Sequence, residues 1–314
     1  MSAALPQTPI ADQALLDLLG CLQAAGYDFV TPTRSTHALV SARRAASETD
    51  VLRDAFGWAR AFRREQLTPE LFALMQAAGI LIEDADAYKT ALRVSSLDGR
   101  LFLHSAPTRD NDAVFLGPDS YRFASLLRRV LADSAGFRRA LDIGTGAGVG
   151  AMTLQALAPA AAVYGSDINA SALRLAGLNA RHAGLPVQTL QASGVPEGPR
   201  DFDIIVANPP YVAGNVGKIY RDGGDAFGAA LGLEWVRSGI RRLAPGGRFV
   251  LYTGAPIVAG RDVVRDGLTV LCAEQNLTLD YEEIDPDVFG QTLRQEAYRD
   301  VERIAAIGAV LTEP

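Results

Sequence analysis

The sequence predicts an α/β protein: a doubly wound, mainly parallel sheet preceded by a small helical domain. Three observations predict it. From Ala140 onward, short apolar runs alternate with helical segments, the pattern of strands linked by crossover helices. Those runs are apolar on both sides, as strands covered on two faces must be. Before residue 110 the periodicity is instead helical and closes on a hairpin signal. A chain of 314 residues suits two domains, and the change of pattern divides it into 1–110 and 111–314.

In the first part, residues 10–25 place Leu15, Leu18, Leu19 and Leu22 on one stripe of a helix. A second helix is predicted from Glu48 to about Arg64. A third starts at Thr68-Pro69-Glu70, where Thr68 can cap and Pro69 takes the first helical position, and it ends near Gly79. Tyr88–Val94 and Arg100–His104 then read as strands joined through Asp98-Gly99, a pair suited to a tight hairpin turn. Three helices followed by a hairpin resemble a winged helix. Residues 1–112 carry 11 Arg and Lys against 14 Asp and Glu. That balance argues against a phosphate-reading surface and for substrate recognition or dimerisation.

In the second part, the predicted strands are Arg139–Ile143, Ala162–Asp167, Val187–Gln191, Phe202–Ala207 and Arg248–Thr253. Two further runs, Leu277–Ile284 and Val301–Leu311, have no good helix between them and are expected to pair antiparallel. Leu243-Ala244-Pro245-Gly246-Gly247-Arg248 reads as a turn leading into the fifth strand.

Composition narrows the function classes. Cys21 and Cys272 lie far apart and have no metal-ligand spacing, so a reducing cytoplasm is the expected setting. His37, His104 and His182 are scattered, which leaves little material for a zinc site or a histidine-based triad. The N-terminal stretch lacks the charged and apolar regions of a signal peptide, and no apolar run is long enough to span a bilayer. The net charge of −6 argues mildly against nucleic acid as the partner.

Strand 140–143 runs into Gly144-Thr145-Gly146-Ala147-Gly148-Val149-Gly150 and then a helix. Glycine lets the backbone turn tightly and a ligand approach it, and the helix that follows offers free N–H groups. The dinucleotide fingerprint requires glycine at the sixth position, where this chain has Val149. With Asp142 two residues before the first glycine, the loop resembles motif I of the class I S-adenosylmethionine (SAM)-dependent methyltransferases. The resemblance implies their Rossmann-like, seven-stranded sheet, with the loop under the methionine part of SAM. Asp142, Gly144, Thr145, Gly146 and Gly148 are the cofactor-binding candidates here. Asp167 ends the next strand, where a carboxylate can accept hydrogen bonds from both ribose hydroxyls, and Ile168 follows it. Asn169 is the expected cap of the helix beyond. The family often has an acidic residue after the third strand; this chain has Gln191-Ala192-Ser193-Gly194. The adenine contacts stay open there, with Ser193 and backbone amides as candidates.

The fourth strand ends in Asn208-Pro209-Pro210-Tyr211. Two prolines fix an extended backbone. The Asn208 side-chain oxygen and the Pro209 carbonyl can accept both N–H bonds of a trigonal NH2 group. Those bonds strengthen as positive charge develops on nitrogen, and Tyr211 can stack on the planar acceptor. The motif resembles the amino-methyltransferases, which include the protein glutamine N5-methyltransferases and the adenine N6 and cytosine N4 enzymes. The resemblance covers about residues 110–255. It extends to Pro118-Asp119-Ser120, placed where glutamine methyltransferases line the SAM site, and to Asp222-Gly223-Gly224.

The expected activity is methyl transfer from SAM to an amide or amino nitrogen, leaving S-adenosylhomocysteine (SAH). Asn208, Pro209 and Tyr211 are the catalytic candidates, Asn208 also faces the cofactor, and no metal is expected. The expected acceptor is a protein glutamine or a small molecule bearing NH2. An RNA or DNA amino-methyltransferase is the alternative, and it requires Arg43, Arg44, Arg63 and Arg64 to converge on Tyr211. A SAM-responsive regulator that binds DNA is the non-enzyme alternative. A NAD-dependent dehydrogenase is disfavoured by Val149 and by the lack of a proton relay.

Overall fold

A computed structural model describes residues 7–43, 50–108, 110–132, 136–197, 200–211 and 228–313. Helix α1 (Pro9–Ala24) starts where Thr8 accepts a hydrogen bond from the Ala11 amide, with Pro9 in the first turn. Its stripe of Leu15, Leu18, Leu19 and Leu22 is wholly buried, each side chain contributing ~1.5–3 kcal/mol of transfer free energy. Helix α2 (Arg34–Arg43) buries no residue, so no apolar stripe announces it in the sequence. The helix expected over 48–64 is corrected: within the described residues, a short helical stretch passes into a π-helical turn at Arg53–Gly57 and stops at Trp58. Gly57 packs so tightly on Phe29 that a Cβ there would lie 2.3 Å from the ring. Ala59 then takes a positive φ of 53°, and Phe62 leaves to pair with Tyr88. Helix α3 (Pro69–Ala77) has the expected Thr68 cap, made to the Leu71 amide.

Two hairpins follow, not one. Strand β1 (Leu81–Asp84) pairs with β2 (Ala87–Thr90), and β3 (Leu92–Leu97) pairs with β4 (Arg100–Ser105). The single run expected over 88–94 is cut at Ala91, where the Thr90 hydroxyl accepts from the Leu92 amide and donates to its carbonyl. Asp98 and Gly99 form the β3–β4 turn with φ of 52° and 71°, the pair of positive values that a tight hairpin requires.

The main sheet contains β5 (Arg139–Ile143), β6 (Ala162–Asp167), β7 (Gln188–Gln191), β8 (Phe202–Ala207), β9 (Leu243–Val258), β11 (Thr278–Asp285) and β12 (Arg303–Thr312). Their order is β11-β12-β9-β8-β5-β6-β7, seven strands, with the two-residue β10 (Arg261–Asp262) attached to β9. Strands β5 to β9 are parallel, and β12 runs antiparallel between β9 and β11. The two final strands pair as the missing helix between them implies.

Helices α4 (Pro118–Val130) and α5 (Val149–Leu157) cover one face of the sheet with Phe123, Leu127 and Leu154. Helices α7 (Ala230–Ile240) and α8 (Val263–Gln275) cover the other with Val236, Val264 and Leu268. Helix α6 (Ala170–His182) joins the two parts of the chain. Its Leu175 and Leu178 enter the same apolar cluster as α1, α3 and β4. Fully buried Asn179 accepts from the Leu103 amide and donates to the carbonyls of Leu103 and Ala147. A hydrophobic cluster and a buried amide therefore tie the first 110 residues to the glycine loop. Cys21 and Cys272 are both free thiols. Among the described residues, no helix is long and apolar enough to cross a membrane.

Candidate cofactor and acceptor site

The site lies along the carboxyl ends of β5, β6, β7 and β8, where a parallel sheet leaves a crevice. Strand β5 hands over to a loop in which Gly144, Gly146 and Gly148 have φ of 67°, 54° and 88°. All three values lie in the left-handed region, which a side chain disfavours. The alternation of glycines is thus a backbone requirement. A Cβ on Gly146 would meet nothing nearer than 3.9 Å, so the loop presents an open backbone there.

Asp142 is 1% exposed. Its Oδ2 accepts from the Thr145 hydroxyl at 2.6 Å and from the Ala151 amide at 2.9 Å. Gly150 leaves room for this: a Cβ there would sit 2.6 Å from Asp142 Oδ1. Asp142 and Thr145 therefore hold the end of β5 to the start of α5. Burial pushes the Asp142 carboxyl up to about 7, against the pull of these two hydrogen bonds. Within this geometry the carboxylate shapes the loop from beneath.

Asp167 stands at the end of β6, half-buried. Its Oδ2 accepts from the Gly146 amide at 3.0 Å and its Oδ1 from the Asn169 amide at 2.9 Å. The Ile168 amide also faces this carboxylate, and the acceptor capacity that the three amides leave on its two oxygens suits a diol hydroxyl. Burial raises this carboxyl too, opposed by the amides that bind it. Ile168 is 50% exposed beside it, and Ser193 is exposed at the end of β7. Asn169 caps α6 at the Ser171 amide, and its Nδ2 donates to the Asp112 carbonyl. That bond draws the stretch before α4 over the loop, and the Phe115 carbonyl lies 3.9 Å from the Cβ position of Gly146.

At the end of β8, Asn208 is half-buried, and its Oδ1 is buried with no hydrogen-bond partner. Pro209 is buried against α7. The Tyr211 hydroxyl is hydrogen-bonded to Asp119, and its ring packs on Phe289 with centroids 5.0 Å apart. Tyr211 is thus an anchored wall and not a loose plate. Sequence reasoning missed the anchor. Buried Asp119 also accepts from the Tyr252 hydroxyl at 2.9 Å and pairs with Arg122 at 3.5 Å, which in turn binds Asp285 at 2.9 Å. Burial raises the Asp119 carboxyl while the two tyrosine hydroxyls and Arg122 pull it down. Only the segment around Pro118 hinted at this. Phe289, with a φ of 61°, had no sequence signal at all.

The Asp222-Gly223-Gly224 segment and Arg44 lie outside the described residues. Of the other arginines expected to gather at Tyr211 in a nucleic-acid enzyme, Arg64 instead lies over the Phe72 ring at 5.0 Å, in the first part of the chain.

The methyltransferase small domain family matches residues 118–253, from the start of α4 to within β9. The release factor glutamine methyltransferase of Deinococcus radiodurans is 42% identical over 74 residues, 24% of this chain and 27% of that protein. Its counterpart in Cereibacter sphaeroides is 31% identical over 145 residues, 41% of this chain and 51% of that one. The chain thus spans about a quarter to half of the length of these curated relatives. Among solved structures, a transferase of Pyrococcus horikoshii has a TM-score of 0.50 at 9% identity, over 88% of this chain and 97% of that one, a likeness of fold alone. The glycine loop and the strand order agree with the match of residues 118–253 to the methyltransferase small domain family.

Proposed function

We propose that this protein transfers the methyl group of SAM to a nitrogen that carries two hydrogens, yielding SAH. The observation that carries the reading is the Asn208 side-chain oxygen, buried without a partner at the end of β8. An unpaired buried acceptor costs ~1–3 kcal/mol, and an N–H donor from the acceptor molecule recovers it. With the Pro209 carbonyl beside it in the chain, Asn208 draws a planar NH2 toward tetrahedral geometry. Its lone pair is thereby directed at the methyl carbon. With SAM bound, the N–C bond would form as the C–S bond breaks, SAH would leave, and the surplus proton would pass from the acidified nitrogen to water. Tyr211, held by Asp119 and Phe289, bounds the acceptor's side of the crevice. SAM supplies the electrophilic methyl; the open backbone at Gly146, the acceptors on Asp167 and the exposed Ile168 fit its methionine, ribose and base ends. In this reading Gly144, Thr145, Gly148 and Ser193 border the same ligand, and Asp142 holds the loop beneath it.

The acceptor is a glutamine-type amide of a protein, or a small molecule with a comparable NH2. The names of the relatives and the acidic balance of residues 1–112 support it. Residues 1–110 form the recognition unit and 111–314 the methyltransferase unit. The test is transfer of labelled methyl from SAM into a cell extract, with wild type and Asn208→Ala compared. Label in protein or small molecules, reduced by ~10²-fold or more in the variant, is the expected result. Full turnover by Asn208→Ala overturns the amide clamp. Label in RNA or DNA, with strongly salt-dependent binding, replaces the proposed acceptor by nucleic acid.

A further inference from the structure

We infer that Trp235 of α7 is the aromatic wall for the adenine ring of SAM. The inference rests on the cofactor reading above and assigns a residue that the sequence left open. The end of β7 reads Gln191-Ala192-Ser193-Gly194, so no carboxylate is there to bind an exocyclic amine. The base must then be held mainly by its faces.

The indole fits this need because two glycines from two different strand ends make a seat for it. A Cβ on Gly144, after β5, would lie 2.6 Å from Trp235 Cη2 and 2.8 Å from Cζ3. A Cβ on Gly194, after β7, would lie 3.2 Å from Nε1 and 3.4 Å from Cδ1. The six-membered ring thus rests at one loop and the pyrrole end at the other. Between those two strands lies β6, whose last residue is Asp167. The Gly194 loop is itself pinned, since its carbonyl accepts from the Ser166 hydroxyl at 3.1 Å. Both glycines have positive φ, 67° and 83°, so a side chain is opposed there by backbone strain as well as by the indole.

Trp235 is half-buried, while its neighbour Val236 is wholly within the core. Trp235 packs with part of its surface on the core cluster beneath α7 and leaves the rest open at the carboxyl edge of the sheet, where a flat apolar surface suits a planar base. Ile168, 50% exposed directly after Asp167, offers a second apolar surface at the same edge. A base on a ribose held by Asp167 has both surfaces within the same crevice. Stacking of a base on an aromatic side chain is lost on truncation with a weakening of about 10- to 100-fold.

The protein has two tryptophans, and the other, Trp58, packs on Phe29 and His37 in the first part of the chain. Trp58→Phe therefore leaves Trp235 as the sole indole reporter. Its fluorescence is expected to change saturably with SAH and with adenosine, and not with methionine. If that variant does not fold, the wild-type signal minus that of Trp235→Phe gives the same quantity. Calorimetry with SAH should show Trp235→Leu, which keeps bulk over the glycines, weakened by about 10- to 100-fold. Trp235→Phe should retain most of the affinity. Wild-type affinity in Trp235→Leu, or an equal fluorescence response to methionine, overturns the inference and leaves the cofactor reading intact. Failure of the wild-type protein itself to bind SAH overturns the cofactor reading instead.

Discussion

Replacing Asp142 by Asn isolates one charge beneath the glycine loop. The side chain is 1% exposed, and burial raises its carboxyl from an ordinary 3.8 to about 7. The folded state therefore binds the proton more tightly than the unfolded chain does. Stability from this group is fully present below pH 3.8 and is lost as pH rises toward about 7. The gap between the two values corresponds to ~4 kcal/mol at 1.36 kcal/mol per tenfold change. Asn cannot ionise, and its carbonyl oxygen can still accept from Thr145 and Ala151. The difference in unfolding free energy, wild type minus Asp142→Asn, should fall by ~4 kcal/mol between about pH 4 and pH 8. Urea unfolding followed by circular dichroism across that range, with no cofactor present, measures it. A difference that stays flat within about 1 kcal/mol refutes the argument, because it would mean that Asp142 is as well solvated when folded as when unfolded.

The other predictions concern separate contacts. Asp167→Ala should weaken SAH binding by about tenfold or more in calorimetry, since one charged acceptor hydrogen bond contributes ~1.5–3 kcal/mol. Asn179→Ala strands the Leu103 amide and the carbonyls of Leu103 and Ala147 in the core. Guanidinium chloride unfolding should register a loss of about 2–4 kcal/mol. Asp119→Asn should raise the acceptor KM and leave SAH affinity within about twofold, because Asp119 reaches the reaction through Tyr211. A change confined to SAH affinity would place Asp119 with the cofactor.

Much of the fold was legible because its signals are local. The leucine stripe of α1, the Thr68 cap and the Asp98-Gly99 turn each need only neighbours in sequence to specify their geometry. What misled was equally physical. Helix α2 buries nothing, so its sequence has no periodicity to read. The expected helix over 48–64 gives way where Gly57 must pass under Phe29, a contact with a residue far away in the chain. The break at Ala91 depends on one hydroxyl folding back on its own backbone.

The sequence by itself determined the glycine loop, the carboxylate at 167 and the Asn-Pro-Pro-Tyr segment, because each is a short run whose backbone limits or functional groups are intrinsic to its residues. Tertiary structure alone decided what those groups face. It turned Asp142 inward onto Thr145 and Ala151, tied Tyr211 to Asp119 and left the Asn208 oxygen without a partner. It also brought Trp235 from α7 against Gly144 and Gly194, residues 91 and 41 positions away. Such contacts join strand ends that only the parallel sheet sets side by side, so no local pattern encodes them.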